Sequence, residues 1–113
     1  MDDMRALAHR MHHAFNTRDL AATGTIFAPG FVSHPMGTTG PESVRRAWSA
    51  MLDRHPELHT VIEDVVAEGD KVVVRFTLTG APATERGRAP EAIEMFRVEN
   101  ERIAELWGVS TLR

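Results

Sequence analysis

The sequence predicts a small α+β domain in which an antiparallel sheet wraps around three N-terminal helices. Three observations carry this reading. Apolar residues recur at three- and four-residue spacing through the first half of the chain, and they alternate at period two through most of the second half. The chain has 113 residues, 42% of them hydrophobic, and a chain of that size buries roughly 65% of its unfolded surface in one core. A second domain does not fit.

Asp2 or Asp3 can cap a first helix, whose Met4, Leu7, Ala8, Met11, Ala14 and Phe15 form one apolar stripe. Asn16-Thr17-Arg18-Asp19 breaks the stripe. Asp19 can cap a short second helix, with Leu20, Ile26 and Phe27 turned inward, before Ala28-Pro29-Gly30 stops it. Phe31 to Met36 reads as extended. Gly40-Pro41-Glu42 opens a third helix with proline in its first turn, striped by Val44, Ala47, Trp48, Met51 and Leu52 and ended by His55-Pro56.

Leu58–Glu68 and Lys71–Thr79 flank Gly69-Asp70, a two-residue hairpin turn that fixes the register. Counting outward from the turn sets Glu68 opposite Lys71, Asp64 opposite Arg75, Val65 opposite Val74 and Glu63 opposite Phe76. One face then carries Val61, Val65, Val72, Val74, Phe76 and Leu78 with Glu63 as its only charge, and this face is expected against the helices. Residues 80–91 form a loop. A second hairpin, Ala92–Val98 with Arg102–Val109, turns at Asn100-Glu101 and sets Val98 against Ile103, Phe96 against Glu105, and Glu94 against Trp107 on one face.

Thirteen basic and sixteen acidic residues give a net charge of -3 without a block of one sign, which excludes the electrostatic footprint of a nucleic-acid binder. The absence of cysteine excludes disulfides and thiolate chemistry. Neither a signal peptide nor a run of about 20 apolar residues is present, so a cytoplasmic protein without a membrane partner is expected.

The segments Phe31-Val32-Ser33-His34-Pro35-Met36-Gly37, Gly40-Pro41-Glu42, Val65-Val66-Ala67-Glu68-Gly69-Asp70-Lys71-Val72-Val73-Val74-Arg75 and Glu94-Met95-Phe96-Arg97-Val98, in this order, resemble the SnoaL-like polyketide cyclases. These belong to the wider ketosteroid isomerase-like, or nuclear transport factor 2-like, superfamily. The resemblance spans nearly the whole chain. It implies a cone-shaped, curved sheet enclosing a helix-lined apolar pocket, no cofactor, and a homodimer formed through the outer sheet face.

The resemblance also implies site residues. His34, before Pro35, occupies the position of the isomerases' catalytic base, and Glu94 that of their second acid, a carboxyl kept neutral by an apolar site. Met11 stands where the isomerases place the oxyanion-hole tyrosine, and the chain has no tyrosine. Leu106, Thr111 and Pro82 replace a histidine, an aspartate and a histidine common among SnoaL-like proteins.

A histidine titrates near neutral pH, so His34 suits proton abstraction next to a carbonyl or from a hydroxyl. Its other reading is a structural hydrogen bond before Pro35. Glu94 beside Phe96 suits a neutral acid that stabilises a developing oxyanion, or else a buried structural pair with an arginine or a helix amide. Glu63 and Glu105 are expected on the same face as further acids, with Trp48, Phe96 and Trp107 as apolar walls for a ligand. Of His9, His12 and His13, His9 and His13 lie four apart; two imidazoles are too few for a zinc or copper site, and the cluster reads as a solvated face.

Three functions compete. One is a cofactor-free acid/base enzyme acting on an apolar carbonyl- or epoxide-bearing molecule such as a polyketide intermediate. The second, favoured by the missing tyrosine and late aspartate, is a non-catalytic ligand-binding or accessory protein. The third is an interaction module, which predicts an interior filled by Trp48, Phe96 and Trp107.

Overall fold

A computed structural model describes residues 4–112, so the expected caps Asp2 and Asp3 lie outside the described residues. Helix α1 spans Met4–Asn16 and buries Leu7, Ala8, Met11, His12, Ala14 and Phe15. Its end is a Schellman closure. The Asp19 amide donates to the Ala14 carbonyl at 2.8 Å and the Arg18 amide to the Phe15 carbonyl at 3.1 Å, with Arg18 at φ 61° where glycine is usual.

A single 3-10 turn, Leu20–Ala22, leads into α2, Thr23–Ile26. Asp19 precedes the turn without a side-chain capping bond, so its expected cap does not form. Strand β1 then begins at Phe27, earlier than the sequence suggests, and runs to Ser33. The apparent stop signal Pro29-Gly30 falls inside an interruption of the ladder between Phe27 and Val32, where a missing proline amide costs no sheet bond. A two-residue strand β2, Thr38–Thr39, precedes α3, Pro41–Arg54, which starts with proline in its first turn and ends at His55.

Strands β3 (His59–Glu68), β4 (Lys71–Thr79), β5 (Glu91–Glu99) and β6 (Arg102–Ser110) complete one curved, unclosed sheet of order β2-β1-β6-β5-β4-β3. The sheet is mixed rather than wholly antiparallel, because β1 runs parallel to β6. The fold is an α+β cone. Its core joins the α1 stripe to Phe27, Phe31, Val72, Val74, Phe96 and Ile103, and Phe96 is fully buried. Truncating such a phenylalanine to alanine costs about 3–5 kcal/mol.

Both hairpins turn where expected, yet each carries a bulge that breaks the register counted from its turn. In β3–β4, Glu68 faces Lys71, Val65 faces Val74 and Asp64 faces Arg75, but Ile62 rather than Glu63 faces Phe76. Glu63 is the extra residue. Beyond it the faces exchange, so Thr60 is buried and Val61 is exposed. In β5–β6, Val98 faces Ile103, but Ala104 is extra, and Arg97 faces Glu105, Phe96 faces Leu106, Met95 faces Trp107 and Glu94 faces Gly108. Glu105 and Trp107 therefore lie on the outer face, opposite to Glu94 and Phe96.

Candidate functional site

The helices and the inner sheet face leave an apolar cavity of about 390 Å³. Met11 and Phe15 of α1, and Trp48 and Met51 of α3, wall it on the helix side, while Phe76, Leu78 and Ala92 wall it on the sheet side. Trp48 is held edge-on against Phe15 and Phe27, with ring centroids 5.4 and 6.1 Å apart. Met36 and Val109, 63% and 75% exposed, stand at the mouth.

Polar side chains cluster at one place in this lining. His12 Nε2 lies 2.9 Å from Glu94 Oε1, and His12 Nδ1 lies 2.8 Å from Thr60 Oγ1. The edge of the imidazole packs against Phe76 at a centroid distance of 4.5 Å. Behind Thr60, Asn16 at the end of α1 donates from Nδ2 to the Thr60 carbonyl at 2.9 Å and accepts the Thr60 amide at Oδ1 at 2.8 Å. Glu94 Oε2 has no hydrogen-bond partner among the described residues, and Glu94 lines the cavity. Gly108, directly across from Glu94 on β6, adds no side chain that would fill the space beside the carboxyl.

Of the residues expected at the site, Glu94 and Trp48 reach the cavity. Phe96 is sealed in the core beneath it. Glu63 is exposed, and its Oε2 accepts a bond from Thr77 Oγ1 at 2.9 Å on the far side of the sheet. His34, Glu105 and Trp107 meet one another, but on the outer face. His34 stacks on Trp107 with centroids 4.7 Å apart and 6° between planes, and its Nε2 lies 2.8 Å from Glu105 Oε2. Arg97 Nε donates to Glu105 Oε1 at 2.7 Å. The His34 hydrogen bond and then the Arg97 guanidinium hold the Glu105 carboxyl below the usual carboxylate range, while Glu99 and Glu105 together raise Arg97. The expected convergence of His34 and Glu94 is therefore not found; the two lie on opposite sides of the sheet.

The histidine that meets Glu94 is His12. Its neighbours at helical spacing gave the signal: position 12 follows buried Ala8 by four residues and precedes buried Phe15 by three, which puts it on the apolar stripe. The cluster His9-His12-His13 is thus not uniformly solvated, since His12 is buried between two exposed neighbours. Among the described residues no group of three or more potential ligands is arranged to hold a metal ion, and no buried side-chain polar atom lacks a partner.

Residues 8–106 match the family model of the SnoaL-like domain. The chain belongs to the SnoaL-like family. Its solved structural relatives include IdmH of Streptomyces antibioticus, provisionally assigned as a polyketide cyclase, at 25% identity and TM-score 0.81, over 98% of this chain and 96% of that one. A Bacillus cereus protein with the same provisional assignment is similar at 27% identity and TM-score 0.80, over 95% of this chain and 73% of that one. TsrD of Streptomyces laurentii is similar at 25% identity and TM-score 0.80, over 97% and 90%. Among curated proteins no match is found. No helix among the described residues is long and apolar enough to cross a membrane.

Proposed function

We propose that this SnoaL-like protein is a cofactor-free acid/base enzyme of the cyclase or isomerase type, acting on an apolar, carbonyl- or epoxide-bearing small molecule such as a polyketide intermediate. The observation that carries the reading is the His12–Glu94 pair at the polar end of an otherwise apolar cavity. A ligand of that class buries its hydrocarbon against Phe15, Trp48 and Phe76 and brings its reacting carbonyl or epoxide oxygen to Glu94. Acting as an acid, the carboxyl passes the Oε2 proton to the substrate oxygen while Oε1 receives the proton held at His12 Nε2. Acting as a base, it runs the same transfer in reverse. A dry site strengthens both directions, because the developing charge meets fixed groups in place of water.

The test uses 2-tetralone, an apolar ketone with acidic α-protons, in D2O, with exchange at carbon followed by NMR. Wild-type protein is expected to accelerate exchange, and Glu94→Gln and His12→Gln are each expected to lower the rate by about 10²-fold or more. Saturable binding of the ketone with exchange at the buffer rate would instead make the protein a non-catalytic holder of apolar ligands.

We also propose that a second copy of the chain covers the outer sheet face. Val66, Val73, Met95 and Trp107 form an apolar row across four adjacent strands. The charges beside the row are already neutralised within the chain, Asp64 by Arg75 at 2.6 Å and Glu105 by Arg97 at 2.7 Å. A face of this kind meets its own copy about a twofold axis without like-charge repulsion.

A further inference from the structure

We propose that Asn16 and Thr60 are positioning residues that fix the tautomer of His12, keeping a proton on Nδ1 and thereby loading the His12–Glu94 pair with one proton before substrate arrives. The inference rests on the acid/base reading of that pair and adds the direction in which it first works.

The argument begins at Asn16, whose amide can be oriented in only one way. Nδ2 faces the Thr60 carbonyl at 2.9 Å and Oδ1 faces the Thr60 amide at 2.8 Å. Turning the amide over would set donor against donor and acceptor against acceptor. Oδ1 is therefore an acceptor where it also meets the Thr60 hydroxyl, 3.3 Å away. The hydroxyl has a single hydrogen. We take it to be directed to Asn16, which leaves oxygen lone pairs facing His12 Nδ1 at 2.8 Å and assigns Nδ1 the donating proton.

A neutral imidazole protonated at Nδ1 presents a bare lone pair at Nε2. That lone pair faces Glu94 Oε1 at 2.9 Å. A carboxylate is acceptor-only, and two acceptors do not hold this distance in a buried site, so a proton lies between them. The pair therefore holds one proton more than a neutral histidine beside a carboxylate. With that proton held between Nε2 and Oε1, Oε2 faces the cavity bare, so the pair first takes a proton from the substrate at Oε2 while the shared proton passes to His12 Nε2, and it returns a proton to the substrate in the reverse step. Thr60 is buried and Asn16 half-buried, so bulk water does not readily replace either partner.

The experiment is a long-range 1H–15N correlation spectrum of ring-labelled histidine at pH 7, with His12 assigned by its loss in His12→Gln. In wild-type protein His12 is expected to show a protonated Nδ1. Asn16→Ala frees the Thr60 hydroxyl to donate to Nδ1 and is expected to shift the proton from Nδ1 to Nε2, while Thr60→Ser keeps the wild-type pattern. A bare Nδ1 in the wild type, which needs no variant to fold, overturns the proposal, and so does an Asn16→Ala spectrum identical to wild type. Neither readout uses turnover. A protonated Nδ1 in a protein that exchanges no 2-tetralone protons would end the catalytic reading and leave this one standing.

Discussion

His12 and Glu94, 82 residues apart in the chain, meet at 2.9 Å because α1 packs on the inner face of β3 and β4 and His12 reaches across to β5, and each is the other's charged or hydrogen-bonding partner in a part-buried place. Glu94→Ala leaves His12 Nε2 without a partner inside the protein and is expected to lower stability by about 1–3 kcal/mol. Replacing both residues by leucine removes the orphan and is expected to recover most of that loss. Urea unfolding of Glu94→Leu, His12→Leu and the double leucine variant measures the coupling, and additive losses would contradict it.

The outer network predicts a pH dependence. Glu105 has a carboxyl pKa lowered in the folded state by His34 and Arg97. A depressed carboxyl contributes stability that is fully present above its unfolded pKa and is lost as pH falls through the lower folded value. Thermal unfolding of wild-type protein is thus expected to lose stability on going from about pH 5 to pH 3, and Glu105→Gln to flatten that decline. An unchanged slope would show that Glu105 does not contribute to it.

The β5–β6 turn is strained at Glu101, which sits at φ 63° after Asn100 at φ 51°. Both central residues of this turn type require positive φ, and glycine adopts it freely. Glu101→Gly is expected to raise stability by about 1 kcal/mol, read as a higher urea midpoint at constant slope.

Gly108 controls the room beside Glu94. A Cβ built there would sit 3.4 Å from the Glu94 Cβ, in tolerable contact, but the branches of a valine would project into the cavity. Gly108→Val is expected to fold normally and to bind an apolar fluorescent probe about tenfold more weakly, as measured by titration.

The proposed dimer is tested at the centre of its apolar row. Met95→Glu sets two carboxylates near each other across a twofold axis and is expected to convert a dimer to a monomer in sedimentation equilibrium. A monomeric wild type at the same concentration would remove the proposal.

The helices, the four long strands and both hairpin turns are legible in the sequence because each rests on a local rule, a 3.6-residue stripe, a period-two alternation or a two-residue turn, whereas the short β2 and the parallel pairing of β1 with β6 follow from no local rule. Pro29-Gly30 misleads, because it marks a stop in isolation but occupies a gap in the β1 ladder that only the fold supplies. The site was half legible. Glu94 is placed by its alternation with Phe96, and Trp48 by the stripe of α3. His12 is masked by two exposed histidines although its spacing from Ala8 and Phe15 puts it inside. Counting from the turns places Glu63, Glu105 and Trp107 on the inner face, and no residue type announces that Glu63 and Ala104 are each one too many for their ladders.

The extra residue at Ala104 makes the interior of this protein a matter of parity. If the ladder absorbed Ala104 as an ordinary pair opposite Arg97, every later residue of β6 would slip by one and the Trp107 indole would stand opposite Glu94, in the space now left open by Gly108. Ironing out the bulge would then plug the cavity without altering any residue that lines it, whereas deleting Ala104 would leave Trp107 facing Met95 and the cavity open. The binding capacity of such a sheet therefore depends on where a strand stores its one surplus residue, a property that belongs to no single side chain.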